Sequence, residues 1–235
     1  MSTFFVTGTD TDAGKTLVTS TLLATASAQG LTTLGLKPVA SGSRVTPVGL
    51  RNSDALALQV QSMPPVSYAT VNPWVFEPAI APHLAASEAS QALNVSDIVA
   101  TLGATLAQTQ RDLTLIEGAG GWRVPLNDRD DFCDIPRLMQ LPVILVVGLK
   151  LGCLNHARLT AEAIAADGLT IAGWVGSVVD PAFTSESTRF AANLDVLKQT
   201  LPASCLGIIP HLEQPSPETA QPYLSLPPLR TLETP

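Results

Sequence analysis

The chain has 235 residues, 46% apolar and only 14% charged, with a formal net charge of −7. This composition describes a folded protein with a large core rather than a disordered chain, and an acidic balance without any basic run argues against a nucleic-acid surface. Cys133, Cys153 and Cys205 are dispersed without a C-x-x-C pair and read as free thiols of a reducing compartment; with no leader-like N-terminus and no apolar run of membrane-spanning length, a cytoplasmic protein is expected.

In chain order, the apolar run Phe4 to Val6 leads into a Thr/Asp-rich loop that closes with Gly14-Lys15-Thr16 and opens an Ala/Leu/Thr helix over Leu17 to Gln29. Strand, loop, Gly-Lys-Thr and helix is the layout of a phosphate-binding loop. Backbone N–H groups and the helix dipole favour an anion there. Lys15 supplies a point charge for terminal phosphates, the Thr16 hydroxyl a ligand for Mg²⁺, and Gly14 close backbone approach. The spacing is a variant: G-x-x-x-x-G-K-[ST] would put its first glycine at position 9, where Thr9 stands, and Gly8 lies one residue earlier.

A strand over Thr32 to Leu36 then delivers Lys37-Pro38, so Lys37 sits at a strand's carboxyl end, where open α/β sheets place their ligand groups. A short helix follows from Asn52 or Ser53, with Asp54 in its first turn. Residues 63 to 82 are rich in proline and lack periodicity, and read as a long irregular excursion of the kind that is usually functional. A helix is expected over Val95 to Gln110, with Ile98, Val99, Leu102 and Leu106 on one face.

The strand Asp112 to Ile116 presents Glu117 ahead of Gly118-Ala119-Gly120-Gly121. A carboxylate so placed matches the second acidic position of phosphate-loop proteins, which helps to hold Mg²⁺. Leu141 to Gly148 is apolar on both faces, as in the middle of a parallel sheet. A helix opening after Lys150, a strand over Ile171 to Val179, a helix over Glu186 to Leu201 and a strand over Cys205 to Ile209 continue the alternation. Beyond Leu212 six prolines suggest an irregular surface segment from about residue 213. The pattern predicts a single α/β domain: a doubly wound, mostly parallel sheet flanked by helices, of the P-loop NTPase type, with its crevice at the strand carboxyl ends. His83, His156 and His211 are scattered, and no G-x-S-x-G elbow competes with the site.

Five blocks, in order, resemble the dethiobiotin synthetase family: Phe5-Val6-Thr7-Gly8-Thr9-Asp10-Thr11 with Gly14-Lys15-Thr16, Lys37-Pro38-Val39-Ala40-Ser41-Gly42, Arg51-Asn52-Ser53-Asp54-Ala55, Glu117-Gly118-Ala119-Gly120-Gly121, and Lys150-Leu151-Gly152-Cys153-Leu154-Asn155-His156. The resemblance runs from about Phe4 to Leu212. It implies an enzyme that takes 7,8-diaminononanoate, CO₂ and MgATP to dethiobiotin, ADP and phosphate. One amine captures CO₂ as a carbamate, ATP phosphorylates the carbamate, and the second amine closes the ureido ring and expels phosphate.

The resemblance further implies site roles. Lys15 and Lys37 would serve the phosphoryl group and the carbamate, with Thr11 and Ser41 on the substrate. Thr16, Asp54 and Glu117 would gather around Mg²⁺. The nucleotide would touch Asp12, Ala13, Gly14, Lys15, Thr16, Leu17, Gly118, Ala119 and Gly120, with Ser177, Val178, Pro210, His211 and Leu212 toward the base. Gly152, Cys153, Leu154 and Asn155 would hold the substrate's distal carboxylate from the second subunit of a homodimer. Two positions depart from the family pattern: Asp12 replaces a frequent Glu, and Ser177-Val178 stands where relatives often carry Asn-Asp. A hydroxyl offers fewer hydrogen bonds than an amide, so weaker discrimination among nucleoside triphosphates is expected. The rival reading is an ATP-switch protein of the partitioning or septum-placement type. It would want an additional lysine early in the loop, where Thr9 and Asp10 stand. A cobyrinate-type synthetase would normally add a glutaminase domain, for which this chain is too short.

Overall fold

A computed structural model describes residues 1–229. Its centre is a six-stranded sheet formed by β1 (Ser2–Gly8), β2 (Thr33–Leu36), β3 (Leu113–Glu117), β4 (Val143–Leu149), β5 (Ile171–Val178) and β6 (Cys205–Ile209), in the spatial order β6-β5-β4-β1-β3-β2. Every pairing is parallel. β1 therefore lies between β3 and β4, where the strand order reverses and where open α/β sheets bind their ligands.

Alternate side chains of the strands feed opposite cores, as the two-residue period requires. On one face Phe4 and Val6 join Leu113, Leu115, Ile144 and Val146 beneath α1 (Lys15–Ala28) and α2 (Ser53–Val60). On the other, Phe5 and Ile116 pack with Ile98 and Leu102 of α3 (Val95–Gln108). Leu145, Val147 and Leu149 meet α4 (Cys153–Ala166) and α5 (Ser187–Thr200) there. Helices thus cover both faces of a parallel sheet.

α1 is buried although it is rich in hydroxyls. Thr19, Ser20, Thr21 and Thr25 each donate to the carbonyl four residues earlier, at 2.6 to 2.8 Å. Buried polar atoms so satisfied cost little, which lets a Thr/Ser helix sit against the sheet.

The irregular excursion expected over 63 to 82 is more ordered than its prolines suggest. It holds a helical turn (Tyr68–Val71) and a two-residue strand (Trp74–Val75) paired with Val39–Ala40, and a helix (Pro82–Glu88) begins at its end. A hairpin of Arg44–Thr46 and Gly49–Arg51 and a helix over Asp134–Met139 also had no period long enough to read. The segment after 213 is corrected too. Ser216 caps a helical turn over Pro217–Ala220 in a capping box, Ala220 and Leu224 are buried in the α1 cluster, and Ser225 N–H donates to Leu206 O at 2.8 Å. Its apolar residues, spaced between the prolines, gain more by covering α1 than by staying in water. The cysteines are free thiols. Among the described residues no helix is long and apolar enough to cross a membrane.

Candidate functional site

The turn from β1 to α1 is shaped by two glycines. Gly14 caps α1 in the left-handed conformation, with φ +90°, and a Cβ there would lie 2.6 Å from Ser177 Oγ. A Cβ on Gly8 would approach Asp10 O, Lys15 Nζ and Ala13 Cβ at 3.0 to 3.2 Å. The early glycine of the variant spacing thus lets the loop fold back upon its own lysine. The loop is anchored to β4: Thr9 N–H donates to Val146 O at 2.9 Å, Gly148 N–H to Thr9 Oγ1 at 3.2 Å, and Lys150 Nζ lies 3.0 Å from Asp10 Oδ2.

The Lys15 ammonium is buried in this loop and donates to Asp10 O at 3.1 Å. Desolvation, and then the nearby Lys37 charge, push its pKa down to about 8. A buried cation whose hydrogen bond, among the described residues, goes to a carbonyl and not to a carboxylate is poised for an anion. Lys37, at the end of β2, is anchored differently. Its Nζ donates to Glu117 Oε1 at 2.6 Å and to Gly118 O at 2.9 Å, with Asp54 Oδ2 at 3.5 Å. Burial alone would lower its pKa, but the Glu117 and Asp54 carboxylates outweigh that and raise it, so Lys37 stays charged.

Glu117 is fully buried at the end of β3. Its Oε1 accepts from Thr16 Oγ1 at 2.9 Å as well as from Lys37, while Oε2 is buried without a hydrogen-bond partner among the described residues. An orphaned carboxylate oxygen beside a hydroxyl and the half-exposed Asp54 is a hard-oxygen set that fits Mg²⁺, which is usually bound by one or two carboxylates and completed by phosphate and water.

These groups open into a cleft of about 400 Å³ lined by Thr11, Asp12, Gly14, Lys15, Thr16, Leu17, Lys37, Ser41, Asp54, Ala119 and Gly120. Four stretches read separately in the sequence meet there. Ala13 is buried behind the loop, and Glu117 lies beneath the floor with Gly118. Ser177, at the end of β5, packs directly against Gly14. The Val178 side chain, by contrast, is buried in the apolar cluster with Leu145 and Trp174. Pro210 and Leu212 are half-buried and His211 exposed just beyond β6. Gly152, Cys153, Leu154 and Asn155 begin α4 outside the cleft; the Cys153 side chain is buried and its N–H already donates to Lys150 O at 3.0 Å.

Sequence reading missed the support beneath Lys37 and Ser41. Asn52 also lines the cleft, and together with Tyr68 and Asn72 it links the loops by partly buried hydrogen bonds. Asn52 was legible only as a helix cap. Asn72 bonds to residues some 35 positions away, which no local pattern records.

A family model described as an AAA domain matches residues 2–219. The ATP-dependent dethiobiotin synthetase BioD of Chromohalobacter salexigens is 58% identical over 235 residues, covering 97% of this chain and 99% of that protein. The protein of the same description from Pseudomonas aeruginosa (strain UCBPP-PA14) is 53% identical, covering 97% and 98%. BioD 1 of Escherichia coli (strain K12) is 48% identical, covering 92% and 93%. Among solved structures, the MinD cell division protein of Aquifex aeolicus superposes with a TM-score of 0.56 at 13% identity, covering 90% of this chain and 83% of its own. A ParA family ATPase of Chlorobium tepidum TLS gives 0.54 at 11%, covering 94% and 90%. At such identities these two speak to the fold alone.

Proposed function

The chain belongs to the family of ATP-dependent dethiobiotin synthetases, and we propose that the cleft between β1, β2 and β3 is where it closes a cyclic urea on a diamine at the expense of ATP. It is then a ligase of biotin biosynthesis that takes 7,8-diaminononanoate and CO₂ as its other substrates. The observation that carries this reading is the convergence of two buried ammonium groups, Lys15 and Lys37, with Asp54 and Thr16 in one cleft, above a buried Glu117 that bonds both Lys37 and Thr16. A carbamate is a poor electrophile until its oxygen becomes a good leaving group, and phosphoryl transfer chiefly needs charge neutralisation and positioning.

Thr11 and Ser41 orient the diamine so that one amine adds to CO₂ and gives up a proton. Lys37, kept charged by Glu117 and Asp54, holds the resulting carbamate against the γ-phosphate. Lys15 exchanges Asp10 O for the terminal phosphates, where a full ligand charge replaces a carbonyl dipole. The carbamate oxygen takes the phosphoryl group and ADP leaves; the second amine then attacks the carbonyl carbon, and phosphate departs as the ring closes. Mg²⁺, held by Thr16, Asp54 and Glu117, would neutralise phosphate charge when bound.

On this reading Asp12, Ala13, Gly14, Leu17, Gly118, Ala119 and Gly120 wrap the phosphates. Ser177, the Val178 backbone and residues 210–212 border the base. The Gly152–Asn155 turn takes the distal carboxylate of a substrate seated in the partner's cleft, which makes the active enzyme a homodimer. The chain works as one domain, in the cytoplasm, with small molecules as its ligands and neither nucleic acid nor membrane as a partner.

The test is phosphate release from MgATP with and without diaminononanoate and bicarbonate. Release that needs both, with dethiobiotin formed in equal amount, supports the proposal. Release that ignores the diamine overturns it and favours an ATP switch of the MinD or ParA kind.

A further inference from the structure

Lys37, Ser41 and Asp54 come from three segments, the end of β2, the loop after it and the first turn of α2. Each is tied to the same small set of polar side chains. Asn72 Nδ2 donates to Lys37 O at 2.7 Å and to Trp74 O at 3.0 Å. Its Oδ1 accepts from the Tyr68 hydroxyl at 2.9 Å, and that hydroxyl in turn accepts from Asn52 N–H at 2.8 Å. Asn52 Nδ2 reaches Ser41 O at 3.1 Å, and Asn52 Oδ1 accepts from the N–H groups of Asp54 and Ala55 at 3.0 and 3.2 Å. Both asparagines are buried, and the Arg51 guanidinium lies 4.2 Å from the centre of the Tyr68 ring.

We propose that Asn52, Tyr68 and Asn72 form a positioning unit that sets Lys37, Ser41 and Asp54 as one body, with the Tyr68 hydroxyl as its node. The chemistry supports more than simple filling of space. The Tyr68 hydroxyl both donates and accepts, and a connected, partly buried network of this kind admits fewer arrangements than loose loops would. The groups it fixes are those that, on the proposed function, meet the carbamate and the metal. Tyr68 and Asn72 do not line the cleft, while Asn52 does. Loss of the unit therefore weakens transfer to the carbamate more than it weakens nucleotide binding, which also draws on Lys15 and the 8–16 loop, since misplacement by about 1 Å can cost about 100-fold in rate.

The experiment, which rests on the synthetase reading, compares wild type with Tyr68→Phe, which keeps the ring under Arg51 and deletes only the hydroxyl. Steady-state turnover, the KM for diamine and MgATP affinity by calorimetry are measured on protein shown to be folded. The expected result is a kcat lowered about 10- to 100-fold, with MgATP affinity changed by a clearly smaller factor. Asn52→Asp retains the helix cap but removes the donor to Ser41, so it should raise the KM for diamine more than it changes MgATP affinity. The double variant Tyr68→Phe/Asn72→Ser should be no slower than the worse single variant, because members of one unit are not additive.

Unchanged kcat in folded Tyr68→Phe, or losses that multiply in the double variant, overturns the positioning unit. If Asn72→Ser does not fold, the decision rests on Tyr68→Phe and Asn52→Asp. Failure of the wild type to make dethiobiotin overturns the underlying function instead, so the two failures are distinguishable.

Discussion

Lys37→Met separates the structural from the chemical work of the buried ion pair. The substitution keeps an unbranched side chain of similar length and removes the ammonium. Lys37 Nζ and Glu117 Oε1 are 2.6 Å apart, with side chains only 5% and 0% exposed. After the change Glu117 retains the Thr16 hydroxyl on one oxygen and nothing on the other. Removing one partner of a buried pair costs about 3–5 kcal/mol, because the remaining charge is left uncompensated. At about 2–4 °C per kcal/mol for a chain of this size, Tm should fall by about 6–20 °C. The double variant Lys37→Met/Glu117→Gln removes both charges and should regain most of that loss, yet both variants should form dethiobiotin more than about 100-fold more slowly. Scanning calorimetry in the absence of nucleotide, alongside product assays well below Tm, measures the two effects separately. A Tm for Lys37→Met within about 2 °C of wild type, or a double variant no more stable than the single, would refute the reasoning.

Four further outcomes follow from other parts of the structure. The Lys15 pKa of about 8 in the fold lies below its ordinary 10.5. Between those values the unfolded chain binds the proton more tightly, so this group makes stability rise with pH across that window; MgATP binding there should take up a proton, detected by calorimetry in buffers of different ionisation enthalpy. Gly14→Ala meets both a φ of +90° and Ser177 Oγ at 2.6 Å and should abolish MgATP binding, with Gly14→Ala/Ser177→Gly recovering only part of it. Ser216→Ala opens the capping box and should lower stability by about 1 kcal/mol in a denaturant titration, with kcat unchanged. Comparable kcat/KM for GTP or CTP and ATP is expected with Ser177 beside the loop, and a strong preference for ATP would contradict it.

The parallel sheet was legible because strands covered on both faces are written as continuous apolar runs, as in Val143–Leu149, and because glycines punctuate the helices. The site was legible where function requires a fixed local spacing, as in Gly14-Lys15-Thr16, or a charged residue straight after a strand, as with Lys37 and Glu117. The rest is written in contacts between distant segments. Nothing adjacent to Tyr68 or Asn72 announces a buried hydroxyl and amide serving Lys37. The hairpin over 44–51 has strands of three residues and no Asn-Gly or Asp-Gly turn. The C-terminal segment carried a readable signal that its prolines masked: Ser216, Pro217 and Thr219 stand in the order of a capped helix start.

The position of β1 has a consequence for how the protein is made. β1 lies at the centre of the sheet, and its neighbours begin far along the chain, at Leu113 and Val143. The Thr16–Glu117 hydrogen bond closes a separation of 101 residues, and the flank of α1 is covered only when residues 217–224 arrive. Such remote closures are slow, and until they form the edges of β1 and part of the α1 face stay open, although α1 and α2 already cover the Phe4 and Val6 side. The phosphate loop and the strand behind it therefore reach their final form only after segments more than a hundred residues further on have been made, so the site is completed late in folding.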